Sequence, residues 1–375
     1  MPQARILISR SALEKNLRAL IEHTGDWSAF PVLKANAYGL GFKEVASCFE
    51  DSFSLDQVPY FCLARVYEIQ QALAFSTKRK LLLLSEWPQQ IQHLPGDKVE
   101  ICVTSFEDLE ILADLQQQRA FHLKLNTGMN RLGIRIGDIL TSSDLQAKFE
   151  KLLLKVKKRG HKMQGILSHL AMGEDRRSRF TSDQEELFEQ GVSFVKSLWN
   201  EEIPWIHLSN SPGVLNRVGK KIKGLNAFRP GIHLWGVQDP EKLVRISHVV
   251  QVRAPLRQLM WIQKGEGVGY GRRFVASQKT RVGILNIGYA DGLRRDSWKL
   301  GLSFYYEGKR VPFLGTVSMD MCAVDCANIK GNLSLGSEFE WVGEKQSLEK
   351  IAEAQKTIPY EVLTSLSARV ERVIV

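Results

Sequence analysis

The chain has 375 residues, of which 44% are hydrophobic and 25% charged, the balance of a soluble globular protein long enough for two or three domains. No window approaches the roughly 18–20 consecutive apolar residues a membrane helix needs, and an arginine interrupts the only apolar run of MPQARILISR, unlike a signal peptide. The formal net charge of +10 invites a nucleic-acid reading, but the basic residues are dispersed, and no helix-turn-helix, zinc-finger or RNP-like pattern accompanies them. A positive surface of this kind steers anionic small molecules instead.

In chain order, the strand-like ARILI is followed by Ser11-Ala-Leu-Glu14, which reads as a capping box. It opens a helix with Leu13, Leu17, Leu20 and Ile21 at helical spacing. Eight β-rich apolar runs then recur: AFPVLK (29–34), YFCLA (60–64), LLLLSE (81–86), VEICVT (99–104), FHLKLN (121–126), MQGILSH (163–169), WIHLSN (205–210) and HLWGV (233–237). Helix-like segments separate most of them, the weakest separators being PQQIQHL and the short span after Asn210. The basic run KVKKRGHK (155–162) follows Leu152, Leu153, Leu154 and Val156, as on the solvated face of an amphipathic surface helix. Eight strands alternating with helices predict an α/β fold, a (β/α)8 TIM-type barrel over residues 1–240. An open doubly wound sheet is the runner-up, but no G-x-G-x-x-G follows the first strand. From VVQVRAPLRQLMWI onward, β-rich runs are punctuated by glycine-containing turns such as KGEGVGYG and NIKGNLSLGS, with little helical pattern before SLEKIAEAQ. Residues 241–375 therefore read as a mainly β domain.

The five cysteines, Cys48, Cys62, Cys102, Cys322 and Cys326, are odd in number and lie mostly in apolar runs. That is the usage of buried thiols in a reducing compartment, so a cytoplasmic address is expected. Cys322 and Cys326 are spaced C-x3-C, but no second Cys/His pair follows at zinc spacing, and no metal site is expected.

In such a barrel the active site gathers at the C-terminal ends of the strands. Standing there are Lys34, then Lys124 with Thr127-Gly-Met-Asn-Arg131, then His169, Asn210-Ser211 and Arg229-Pro-Gly231-Ile232. Each has an ordinary explanation: Lys34 a solvated strand end, His169 a satisfied core histidine, Arg229 a surface ion-pair partner. Together they offer an amine for a Schiff base and a Ser/Gly set for an anion, which is what pyridoxal phosphate demands.

With these residues in view, the sequence resembles the alanine racemase family nearly end to end. The resemblance is carried by KANAYG (34–39), NTGMNRLG (126–133), SHLA (168–171), NSPG (210–213), RPGI (229–232), GYGRRF (269–274), IGYADG (287–292), TVSMD (316–320) and PYEVLTSLSARV (359–370). It implies a pyridoxal 5'-phosphate enzyme that racemises alanine, supplies D-alanine for peptidoglycan, and works as a homodimer with shared active sites. It further implies that Lys34 bonds the cofactor and serves as base on one face of the substrate, with Tyr270 of the neighbouring subunit as base on the other. By the same resemblance Tyr38, Tyr360, Ser211, Gly231 and Ile232 hold the phosphate, and Arg229 faces the pyridine nitrogen. Arg131 meets the substrate carboxylate, braced by Lys124, which the family often carries as a carbamate; His169 bonds Tyr270; Met319 and Tyr289 line the pocket from the partner, beside Asp320 of TVSMD. The chain departs from the family pattern at Leu40 for a common histidine, Asn126 for aspartate, Trp235 for tyrosine and Thr316 for arginine, and in its ending, RVERVIV.

Four alternatives stand beside this reading, one of them a nucleic-acid binder suggested by charge alone, which salt-sensitive retention on DNA would reveal. A racemase of broader specificity, acting on serine for example, would share the same machinery. A decarboxylase of the same architecture would carry a glutamate at the pyridine nitrogen and a cysteine donor in the β domain, against RPGI and GYGRRF. A non-catalytic pyridoxal-phosphate carrier would consist of the barrel alone, against the second domain with Tyr270 and Met319.

Overall fold

The structure, a computed structural model, describes residues 3–25, 27–175, 177–238, 241–331 and 333–375. The chain opens with β1 (Arg5–Ile8) and α1 (Arg10–Thr24). Leu13, Leu17, Leu20 and Ile21 are buried along α1 as the spacing predicts. Its cap differs from the expected one. Ser9, not Ser11, accepts the Ala12 amide, because the strand ends at Ile8 and places the earlier hydroxyl at the helix start.

The barrel strands are β2 (Ser28–Ala29), β3 (Tyr60–Leu63), β4 (Lys80–Leu83), β5 (Val99–Val103), β6 (Ala120–Asn126) with the short β7 (Ile134–Arg135) beside it, β8 (Lys162–Leu167), β9 (Trp205–Asn210) and β10 (Ala227–Arg229). They pair in parallel in the order β2-β10-β9-β8-β6-β5-β4-β3. A single parallel bridge between Val32 and Cys62 joins the first strand segment to β3 and brings the ring nearly to closure. Strands such as YFCL and VEICV are buried at every residue, as strands covered on both faces must be. The segments between strands form α2 (Lys34–Tyr38), α3 (Phe42–Ser52), α4 (Val66–Ala74), α5 (Phe106–Asp114), α6 (Ile136–Thr141), α7 (Ser143–Lys158), α8 (Arg179–Trp199) and α9 (Ser211–Leu215). At the two weak separators stand a 3-10 turn (Pro88–Ile91) and the five-residue α9. The basic run covers the outer face of α7, where Lys155 pairs with Asp114 and Lys157 with Glu201, while Phe149, Leu153 and Val156 face inward.

Two barrel strands differ from the sequence reading. In AFPVLK the regular strand ends at Ala29, although Phe30 and Val32 still donate to the carbonyls of Phe228 (2.8 Å) and Pro230 (2.9 Å). Pro31, with no N–H, can only accept, from the Cys62 amide at 2.9 Å. The eighth strand is β10, Ala227–Arg229, whereas the expected HLWGV lies in a 3-10 turn (Ile232–Trp235) closed by Gly236 at φ 91°. Leu234 and Trp235 are fully buried there, and hydropathy alone cannot tell a buried turn from a buried strand.

The second unit is mainly β. It comprises β11 (Val250–Ile262), the small hairpin β12 (Gly267–Val268) and β13 (Phe274–Val275), β14 (Thr280–Leu285), β15 (Ser303–Tyr306), β16 (Lys309–Pro312), β17 (Cys322–Asp325), β18 (Glu338–Val342), α10 (Leu348–Gln355), α11 (Pro359–Thr364) and β19 (Glu371–Ile374). Its sheet runs β16-β15-β18-β11-β1-β19, with β14 between β11 and β17. The N-terminal β1 thus lies between β11 and β19. The division expected after residue 240 falls at residues 239 and 240, outside those described. Among the described residues, no helix is long and apolar enough to cross a membrane.

Candidate active site

Lys34 stands where the first barrel strand gives way to α2, and α2 is left-handed. Ala35, Asn36, Ala37 and Tyr38 all have φ between 52° and 58°, a conformation that costs a non-glycine residue roughly 1–2 kcal/mol. Local hydrogen bonds compensate. The Glu68 carboxylate, at the start of α4, accepts the amides of Ala35 (2.6 Å) and Ala64 (2.7 Å). Asn36 Oδ1 accepts the Phe42 amide at 2.8 Å, and the Gly41 amide donates to the Asn36 carbonyl at 2.9 Å. Arg372 of β19 donates to the Gly39 carbonyl from Nε (3.0 Å) and Nη2 (2.7 Å). The turn aims both Lys34 and Tyr38 at one cavity.

That cavity, about 620 Å³, is lined by Lys34, Tyr38, Lys124, Arg131, His169, Ser211, Arg229, Gly231, Ile232 and Tyr360, together with Asn210 and residues of the adjoining walls. Ten of the sequence-predicted site residues therefore converge. At one part of the wall the Gly231 amide donates to Ser211 Oγ at 2.7 Å. A Cβ at position 231 would stand 2.8 Å from the Tyr38 hydroxyl, so only glycine leaves the hydroxyl its place. Tyr360 stacks at a tilt beside Tyr38, their ring centroids 5.9 Å apart. Burial raises the Tyr360 pKa to about 12 and that of Tyr38 further, so both remain phenols able to donate to an anion. Hydroxyls and an amide gathered in this way suit a phosphate, and Lys34 supplies the amine a carbonyl cofactor needs.

The remaining wall is cationic. Arg229 ends β10 fully inside the barrel and donates to His207 Nδ1 (2.6 Å) and to the carbonyls of His207 (3.0 Å), Ser168 (2.5 Å) and Leu208 (2.8 Å). Burial, and then Arg131, lowers the Lys34 pKa. Lys124 falls to about 8, mostly through burial, with Arg229, Arg131 and Lys34 adding repulsion. Burial and then Arg229 hold His169 well below the ordinary histidine range, as a neutral imidazole.

Four predicted residues lie elsewhere in the chain. Tyr270, in the turn between β12 and β13, is 70% exposed, and neither it nor Met319, 53% exposed, lines the cavity of its own chain. His169 and Tyr270 are thus not brought together within one chain. Tyr289 and Met319 share a loop pair, in which the amides of Tyr289 and Ala290 donate to the carbonyls of Ser318 and Met319 at 3.0 Å. Asp320 accepts from Arg369 at 2.7 Å, and Arg369 also pairs with Asp291.

Two of the departures from the family pattern, Asn126 and Trp235, can be placed in the structure. Asn126 Oδ1 accepts the amides of Gly128 (3.0 Å) and Asn130 (3.1 Å), an Asx turn an aspartate oxygen could equally make. Trp235 lies behind Tyr38, ring centroids 5.6 Å apart, and does not line the cavity. The sequence reading left out Glu68, His207, His122 and Glu100. Period-two spacing points to the last three: His122 precedes Lys124 by two, Glu100 precedes Cys102 by two, and His207 precedes Ser209 by two, so each shares a strand face with a buried neighbour.

Comparison with known proteins agrees along the whole chain. The family profile described as alanine racemase, N-terminal domain, matches residues 8–239, and that described as alanine racemase, C-terminal domain, matches residues 249–374. An alanine racemase of Marinobacter nauticus is 32% identical over 385 aligned residues, covering 100% of this chain and 99% of the relative. One from Helicobacter pylori is 30% identical, covering 91% of this chain and 90% of its own. The crystal structure of alanine racemase from Bartonella henselae with covalently bound pyridoxal phosphate superposes with a TM-score of 0.83 at 27% identity, covering both chains fully.

Proposed function

The chain belongs to the alanine racemase family, and from that premise we propose that it interconverts L- and D-alanine with pyridoxal 5'-phosphate, supplying D-alanine for peptidoglycan. The observation that carries this reading is the single cavity in which the Lys34 amine, the buried Arg229 guanidinium and the Ser211–Gly231–Tyr38 cradle meet. When bound, the cofactor draws electrons from the substrate α-carbon, so that its hydrogen can leave as a proton.

The chain's own residues supply the rest. Ser211, the Gly231 amide, Tyr38 and Tyr360 would hold the phosphate. Lys34 would bond the cofactor and would take or return the α-proton on one face; its lowered pKa favours the neutral amine needed to bond the cofactor and to take the proton. Arg131, at the mouth, receives the substrate carboxylate. Lys124 braces it, and a pKa of about 8, lowered from the free-lysine value, gives a neutral fraction near pH 7 far above that of a free lysine, open to carbamate formation. Arg229 keeps its proton at neutral pH and would present a donor rather than a proton to the ring nitrogen of a bound cofactor, which would then withdraw electrons less strongly and limit side reactions. Racemisation needs a second base on the opposite face, and among the described residues the tyrosines lining the cavity of one chain are Tyr38 and Tyr360, both assigned to the phosphate. The exposed Tyr270 supports a homodimer in which each chain lends this hydroxyl to its partner's cavity. The five cysteines are all buried and free, which supports a cytoplasmic location.

The test follows the loss of optical rotation for a panel of L-amino acids with added pyridoxal phosphate. L-Alanine is expected to racemise fastest. Comparable rates on serine would mark a broader racemase, and release of carbon dioxide a decarboxylase. Tyr270→Phe should slow racemisation by about 10²–10⁴-fold, the usual contribution of a general acid–base group. Exchange of the α-proton with deuterated water should survive better for D-alanine, whose proton faces Lys34. Equal loss from both enantiomers would rule out one base per face.

A further inference from the structure

Behind Arg229 the barrel interior holds an unbroken line of polar side chains. His207 Nδ1 lies 2.6 Å from Arg229 Nη1, His207 Nε2 lies 2.9 Å from His122 Nδ1, and His122 Nε2 lies 3.0 Å from Glu100 Oε2. The Tyr60 hydroxyl donates to the same Glu100 oxygen at 2.9 Å. Glu100, His122 and Tyr60 stand near the N-terminal ends of β5, β6 and β3, whereas Arg229 ends β10 on the cavity side. We propose that Glu100 is a positioning residue for the racemisation site, holding Arg229 through a one-directional hydrogen-bond chain of two histidines. The proposal rests on the reading of Arg229 as the group that faces the cofactor ring.

The direction of the chain follows from its ends. An arginine can only donate, so His207 Nδ1 accepts and carries no proton. Burial keeps His207 neutral, and its single N–H is therefore on Nε2. That N–H donates to His122 Nδ1, which leaves the His122 proton on Nε2, pointing at Glu100. A doubly protonated His122 would set its Nδ1–H against the N–H of His207. Reversing the chain would set an N–H of His207 against Arg229. Every link thus donates toward Glu100, and only an acceptor at that end permits the arrangement.

Packing makes the line rigid and dry. The Phe30 ring sits 4.6 Å from that of Tyr60 and 5.1 Å from that of His207, with Trp205 at 5.2 Å closing its other edge. Glu100, His122 and His207 are all at most 2% exposed. Strand β8 makes room for the His122 ring with Gly165, directly opposite in register, where a Cβ would collide with that ring. Arg229 has no ion pair among the described residues, so Glu100, two imidazoles away, is the carboxylate to which its hydrogen-bond chain leads.

The experiment uses holoenzyme labelled with 15N-histidine, in which two-bond couplings report the protonated ring nitrogen. His122 and His207 are expected as Nε2–H tautomers. In Glu100→Gln the amide can donate to His122 Nε2 and reverse the chain, so part of His207 should shift to Nδ1–H. The racemisation kcat should then fall roughly 10–10²-fold, the scale of a misplaced catalytic group, with KM for alanine within about threefold. Gly165→Ala, which displaces the His122 ring and changes no titratable group, should lower kcat likewise. Tyr60→Phe leaves Glu100 as acceptor and should keep both tautomers. A wild-type His207 protonated on Nδ1 would overturn the proposal. So would a folded Glu100→Gln with both tautomers and kcat unchanged, or with tautomers shifted and kcat unchanged. The same couplings measured without cofactor test the chain itself, so failure to bind pyridoxal phosphate or to racemise alanine would count against the proposed function separately.

Discussion

Lys124 is only 9% exposed in the cavity wall, close enough to Lys34, Arg131 and Arg229 for each to disfavour its charge. Its folded-state pKa of about 8 compares with roughly 10.4 for a free lysine. The sign follows from proton counting. Below about pH 8 both folded and unfolded chains hold the proton, and the folded state bears the full cost of a buried charge. Between about 8 and 10.4 the unfolded chain binds more protons, so stability rises with pH. Above that both are neutral and the cost is gone. A shift of this size corresponds to about 3 kcal/mol. Urea unfolding of the cofactor-free chain in bicarbonate-free buffer should therefore show Lys124→Met more stable than the parent near neutral pH, the gap closing as pH approaches 10. A gap independent of pH would contradict the buried charge.

At the scale of elements, the left-handed α2 carries the site. Four consecutive residues in this region are unfavourable by several kcal/mol together, so the turn exists only because its surroundings hold it. Glu68 is the chief support, since Oε1 accepts the Ala35 amide while Oε2 accepts those of Ala64 and Arg65. Glu68→Gln would turn one oxygen into a donor facing a donor, at a cost on the order of 1–3 kcal/mol. Thermal unfolding should shift down accordingly, and equilibrium dialysis should show weaker retention of pyridoxal phosphate. Unchanged retention would mean that the turn is held without Glu68. KANAYG marked the place of this turn but not its hand, because alanine and tyrosine have no local preference for positive φ. The eighth strand was illegible for a related reason: three residues, Ala227–Arg229, are too few for a period to show. Lys34, Arg229 and Ser211 were legible because each charged or hydroxyl group stands at the end of an apolar run. His122 and Glu100 lie inside such runs, where only their period-two spacing from Lys124 and Cys102 betrays an inward face.

Over the whole molecule, the two units are tied through the chain ends. β1 from the N-terminus lies between β11 and the C-terminal β19, and Arg372 of β19 reaches the Gly39 carbonyl at the end of the Lys34 turn. Arg372 also donates to the carbonyls of Leu366 (3.1 Å) and Ser367 (2.8 Å), just beyond the helix that carries Tyr360. One guanidinium thereby fixes the turn that carries Lys34 and the helix that carries Tyr360 with respect to each other. No such tie draws Tyr270 inward; it stands exposed with Met319 on the second unit, away from the cavity of its own chain. A head-to-tail pair related by a two-fold axis would let each β domain complete the other chain's barrel site. In that arrangement Lys34→Ala and Tyr270→Phe spoil different halves of a site. Each variant dimer should be inactive or nearly so, whereas a mixed dimer has one site with both defects and one with neither. Random reassortment of equal amounts makes about half the dimers mixed, each with one of two sites intact, so activity should recover to about a quarter of the parent level. The assay is racemisation by the mixture, after subunit exchange has been verified with differently tagged chains. If exchange is complete and activity stays at the level of the separate variants, Tyr270 does not cross between chains, and each site must find its second base within its own chain.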